Sequence, residues 1–159
     1  MSRAAVLESD GEARTQALGA ALGALLRGGD VVALFGPLGS GKTRFVQGLA
    51  LGLGVPADEA VVSPTFVLVR EYVGRVRLCH LDAYRLTGPA ELHDLGFGEL
   101  IGDGSTVVAL EWADRVGGLV PASACRVELA HAGEQRRRIA VRWPDAARLA
   151  QLVEAASAG

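Results

Sequence analysis

Gly36-Pro37-Leu38-Gly39-Ser40-Gly41-Lys42-Thr43 carries the spacing GxxxxGK[ST]. The chemistry of such a loop is anion binding. Its glycines let the backbone wrap a phosphate with N–H groups turned inward, and the N-terminus of a following helix adds a positive field. In this spacing Lys42 reaches the β- and γ-phosphates and the Thr43 hydroxyl ligates Mg²⁺, while Pro37, Leu38, Gly39, Ser40, Gly41 and Arg44 line the nucleotide. Glycine makes up 21 of the 159 residues, so an accidental match must be weighed. Residue frequencies multiplied over all starting positions put that accident at roughly one in a thousand. Lys42 is moreover the only lysine; every other basic residue is an arginine.

A loop of this kind needs acidic partners, and two carboxylates end apolar runs. Glu111 follows Val107–Leu110, the position from which a Walker B carboxylate reaches the Mg²⁺ shell, and Asp82 follows Val76–Leu81. A strand-end Asp is also an ordinary turn former, but both strands should finish near the loop. We therefore expect one carboxylate at the metal and the other orienting the nucleophile. Ser63-Pro64-Thr65 lies where switch-like segments occur, and either hydroxyl could meet a γ-phosphate. Trp112 is more often a core aromatic, yet beside Glu111 it can stack on a base. His80 and His93 show no metal-ligand spacing with the cysteines and read as structural.

The loop alone does not choose a reaction. The chain has no asparagine, so the NKxD element of guanine-reading GTPases cannot exist. The one DxxG, at Asp114, lies beyond the strand end. A small-molecule kinase fits the length, with Arg136-Arg137-Arg138 as a candidate lid, although that run alternates like a strand with a solvated face. A nucleotide-sensing adaptor that does not turn over is a third class.

The surrounding elements follow from periodicity and punctuation. Asp10 caps a helix running to about Arg27, with Leu18, Leu22, Leu25 and Leu26 as its stripe. Asp30–Phe35 and Thr106–Leu110 are continuous apolar runs suited to central parallel strands. Lys42–Leu53 is the helix behind the loop. Phe66–Tyr72 with Val76–Leu81, and Arg126–Leu129 with Arg137–Trp143, read as hairpins. Residues 89–95 form a short helix, and Asp145 caps a last one. The fold class is α/β: a P-loop NTPase-like mixed sheet, parallel in the middle and antiparallel at the sides, with helices on both faces and 1–159 as one domain. Half the residues are apolar, 21% are charged, and mean hydropathy is +0.27, which excludes a disordered chain. A net charge of −2 argues against direct nucleic-acid or membrane binding. Cys79 and Cys125 form no CxxC and suit a reducing, cytoplasmic setting as buried hydrophobes.

In this order, GPLGSGKT at 36–43, SPTF at 63–66, EY at 71–72, HLDAYRL at 80–86, LGFGEL at 95–100 and LEW at 110–112 resemble the TsaE (YjeE) family, the small ATPase of bacterial tRNA threonylcarbamoyladenosine synthesis. The combination is far more specific than the loop alone. Ala83 departs from the larger apolar residue usual in the family. The resemblance implies Mg·ATP binding (ATP or ADP with Mg²⁺) and slow hydrolysis in isolation. It also implies docking on TsaB and TsaD, which modify adenosine 37 of tRNAs reading ANN codons, with tRNA met only indirectly and neither DNA nor membrane as partner. By position, Lys42 is the phosphate lysine, Thr43 and Glu111 are the Mg²⁺ ligands, and Asp82 positions the attacking water. Thr65 is the switch-like hydroxyl, and Trp112 lies near the nucleotide.

Overall fold

The two wholly apolar runs occupy the centre of the sheet. The computed structural model describes residues 3–61, 69–84, 86 and 88–158. In chain order the elements are β1 (Arg3–Ser9), α1 (Glu12–Gly23), β2 (Val31–Phe35), α2 (Lys42–Gly52), β3 (Val69–Val73), β4 (Arg77–Asp82), α3 (Pro89–Asp94) and α4 (Phe97–Gly102). Then come β5 (Thr106–Glu111), a 3₁₀ segment (Ala113–Leu119), β6 (Cys125–His131), β7 (Arg137–Trp143) and α5 (Ala146–Ala158). The strands lie in the order β1-β7-β6-β2-β5-β4-β3. β6, β2, β5 and β4 run parallel, while β7, β1 and β3 are added antiparallel. This is the mixed sheet expected.

Each face of the sheet carries its own core. Val32, Leu34, Leu78, Val107, Val127 and Ile139 meet α1, α2 and α5 through Leu22, Phe45, Leu49 and Leu152. Val31, Ala33, Cys79, Leu81, Val108 and Leu110 meet α3, α4 and the 3₁₀ segment through Leu92, Phe97 and Val116. α1 and α2 approach through paired glycines. A Cβ on Gly19 would stand 2.3 Å from the Phe45 carbonyl oxygen, and one on Gly48 only 2.1 Å from that of Gln16. The side-chain-free contact brings the two helices closer than a larger residue permits.

Four elements differ from the sequence reading. β1 is not signalled, because it is an edge strand whose Val6 is 60% exposed, leaving little apolar alternation. Its pairing with β7 keeps the chain extended to Ser9, so α1 starts after Gly11 rather than at an Asp10 cap. The Ser9 hydroxyl instead donates to the Gly11 carbonyl at 2.7 Å. α1 also stops at Gly23, short of Arg27, where the Arg75 guanidinium donates to the carbonyls of Gly23 (2.7 Å) and Leu26 (3.0 Å). The short α4 and the 3₁₀ segment each span barely two turns, too little for a periodic pattern. Ser63, Pro64 and Thr65, with the start of the strand expected from Phe66, lie outside the described residues.

Candidate nucleotide site at the phosphate loop

Because side chains alternate along a strand, the cores decide which residues face α2. Leu78 and Val107 belong to the α2 side, so His80, Asp82, Ala109 and Glu111 follow them there. Register then sets Asp82 beside Glu111 across β4 and β5, and Leu34 beside Glu111 across β2 and β5. Both carboxylates thus end next to the loop that leaves β2. That loop is shaped by Gly36, Gly39 and Gly41 at φ +146°, +76° and +101°, values that L side chains rarely adopt.

Lys42 opens α2 and is buried. Its ammonium donates to the carbonyls of Gly36 and, at 3.1 Å, Pro37, and lies 3.8 Å from the centre of the Trp112 ring. Burial pulls its pKa below the ordinary lysine value, against the opposing pull of Glu111, Asp82 and Asp114. Trp112 has φ 57°, in the left-handed region, a strained choice for an aromatic residue. This turn carries the indole over the ammonium and within 4.9 Å of the Tyr84 ring.

Glu111 is held from two directions. Thr43 Oγ1 donates to Oε1 at 3.5 Å, and His80 Nε2 lies 2.5 Å from Oε2. His80 is fully buried, and its Nδ1 has no hydrogen-bond partner among the described residues. Asp82 is buried and accepts the Tyr84 backbone N–H at 2.9 Å. The Thr43 hydroxyl and the two carboxylates are hard oxygen donors, the kind Mg²⁺ takes one or two of alongside phosphate and water, so the residues present fit that ion.

A cleft of about 540 Å³ joins these groups, lined among others by Leu38, Thr43, Asp82, Tyr84 and Trp112. Pro37 and Gly39 lie in the loop, Leu38 stands 80% exposed, and the Ser40 hydroxyl is buried without a partner among the described residues. Arg44, on the same wall, pairs with Glu12 of α1 at 3.1 Å in an exposed ion pair. The fold brings together every expected site residue it describes; Thr65 lies outside the described residues. His80 and Arg137 were not expected here. His80 sits two positions before Asp82, and that period-2 spacing on one strand was the available signal. Arg137 donates to the carbonyls of Ser40 (3.1 Å) and Gly39 (3.3 Å), so the middle arginine of the run at 136–138 packs beneath the loop rather than forming a free lid.

Known proteins resemble this chain in sequence and in fold. The family model described as "Threonylcarbamoyl adenosine biosynthesis protein TsaE" matches residues 9–139. A tRNA threonylcarbamoyladenosine biosynthesis protein TsaE from Treponema pallidum is 42% identical over 123 residues, covering 77% of this chain and 89% of the relative. That of Bacillus subtilis is 37% identical, covering 79% and 77% respectively. The crystal structure of Bacillus subtilis YdiB superposes with a TM-score of 0.79 at 29% identity, over 99% of this chain and 97% of the other. With the family model spanning both carboxylates and the whole phosphate loop, the chain belongs to the TsaE family.

Proposed function

We propose that this chain is an ATPase of tRNA threonylcarbamoyladenosine synthesis, binding Mg·ATP at the phosphate loop and docking on TsaB and TsaD. The observation that carries this reading is the convergence of Lys42, Thr43, Asp82 and Glu111 at one end of the sheet, beside a loop turned by glycines at positive φ. Loop N–H groups and Lys42 would bind the β- and γ-phosphates. Thr43 and Glu111 would hold Mg²⁺, which when bound neutralises charge on those phosphates. Asp82, one strand over from Glu111, would orient the attacking water and accept its proton. Trp112 and Tyr84 would form an aromatic wall beside Lys42, at the phosphate end of the cleft. Relatives named for threonylcarbamoyladenosine biosynthesis support the pathway. The net charge of −2 suits docking on protein better than gripping tRNA, and no helix among the described residues is long and apolar enough to cross a membrane.

Phosphate release from Mg·ATP, measured with and without the TsaB–TsaD pair, tests the reading. A low rate that rises on adding the pair, and vanishes in Lys42→Ala, is expected. An unchanged rate would favour a nucleotide-sensing adaptor instead.

A further inference from the structure

The phosphate loop is gripped from outside by the end of the β6–β7 hairpin. One arginine makes most of that grip. Arg137 Nε donates to the Ser40 carbonyl at 3.1 Å and one terminal nitrogen donates to that of Gly39 at 3.3 Å. The other terminal nitrogen donates to the carbonyls of Arg136 (2.9 Å) and Glu134 (3.3 Å), in the hairpin's own turn. A single planar guanidinium therefore joins two backbone segments nearly a hundred residues apart. β6 adds a second point of contact. A Cβ on Gly36 would stand 2.5 Å from the Leu129 carbonyl oxygen, and one on Gly41 would touch the Leu129 side chain at 3.6 Å.

The direction of these bonds matters. A loop that binds phosphate through its N–H groups turns carbonyls outward, and those carbonyls need donors. Arginine supplies several in a fixed fork, whereas lysine is a point charge on a flexible stem. We propose that Arg137 is a positioning residue for nucleotide binding. It holds the Gly39 and Ser40 peptides in the phosphate-binding orientation and makes turn 132–136 respond to nucleotide occupancy. The turn residues are exposed, so that response occurs on the surface. Coupling of this kind is reciprocal: if nucleotide orders the turn through Arg137, loss of Arg137 must weaken nucleotide.

This inference rests on nucleotide binding at the loop, and the test separates the two. ADP affinity is titrated with a fluorescent ADP analogue for the parent chain, Arg137→Gln and Arg137→Lys, with the exposed Arg138→Gln as control. Amide exchange in 132–136 is followed with and without ADP. Losing two charge-assisted hydrogen bonds should weaken ADP about tenfold in Arg137→Gln. Arg137→Lys should recover only part of that, and Arg138→Gln should bind as the parent does. ADP should slow exchange in the turn of the parent chain but not of Arg137→Gln. A merely structural arginine would lower the melting temperature of the nucleotide-free chain and leave both readouts intact. Unchanged ADP affinity in a folded Arg137→Gln, or a turn indifferent to ADP in the parent, would overturn the proposal alone. Absence of ADP binding by the parent chain would overturn both it and the nucleotide reading.

Discussion

At the scale of single residues, Glu111 is the centre of the site, because each of its oxygens has a different neighbour. The Thr43 hydroxyl faces one and His80 the other, and both Glu111 and His80 are buried. Leaving a buried oxygen of Glu111 without its hydrogen-bond partner typically costs about 1–3 kcal/mol. His80→Leu should therefore lose stability of that order in urea unfolding, while His80→Gln, which keeps a donor, should lose less. Equal losses would mean that imidazole packing, not the bond to Glu111, is what matters. Glu111→Gln makes a different prediction. It should keep nucleotide affinity measured in EDTA but lose the gain that Mg²⁺ confers on the parent, as read by calorimetry in both buffers.

At the scale of elements, the position of the loop depends on how closely α1 and α2 pack. Gly48→Ala places a methyl carbon 2.1 Å from the Gln16 carbonyl oxygen, a rigid backbone atom. Overpacking of this kind costs about 1–3 kcal/mol, and here it displaces the helix that carries Lys42 and Thr43. Gly98→Ala in α4 meets no atom of the described residues within 4 Å and is expected to stabilise slightly, by about 0.5 kcal/mol, through a stiffer unfolded chain. Thermal melts of the two variants should move in opposite directions. The last helix is anchored by Arg148, which pairs with Asp30 at 2.6 Å, donates to Asp145 at 2.7 Å and stacks 4.3 Å from the Trp143 ring centre. The Arg148 backbone N–H, and then its guanidinium, hold the Asp145 carboxyl below its ordinary value. A carboxyl depressed on folding stabilises fully above its unfolded value, about pH 3.9, and that contribution is lost as pH falls through the lower folded value. Asp145→Asn should flatten the acid limb of the stability profile, and should be less stable than the parent at neutral pH.

At the scale of the whole molecule, two cores share the strands of one sheet, with β2, β4 and β5 contributing residues to both. Neither core can lose its strands without exposing the other. Calorimetry is expected to give one unfolding transition, and two resolved transitions would contradict the reading of 1–159 as one domain. ADP at about a hundred times its dissociation constant should raise that single transition by roughly 2.7 kcal/mol of linkage, and Lys42→Ala should abolish the rise.

What could be read from the chain alone shares one property: the residues concerned are neighbours in sequence. Gly36–Thr43 signals itself by local spacing, the central strands β2 and β5 by unbroken apolar runs, and Asp82 and Glu111 by ending such runs. Local patterns express local backbone preference and burial, which act over a few residues. What the tertiary structure decided are pairings across the sheet, which no short window contains. Register put His80 opposite Ala109, on the same face as Glu111 and within reach of its carboxylate. The return of β7 brought Arg137 under a loop nearly a hundred residues earlier. The edge strand β1 exists because β7 offers it a partner, not because its own alternation demands one. Sequence by itself determined the chemistry available to this protein; long-range strand pairing decided which side chains hold that chemistry in place.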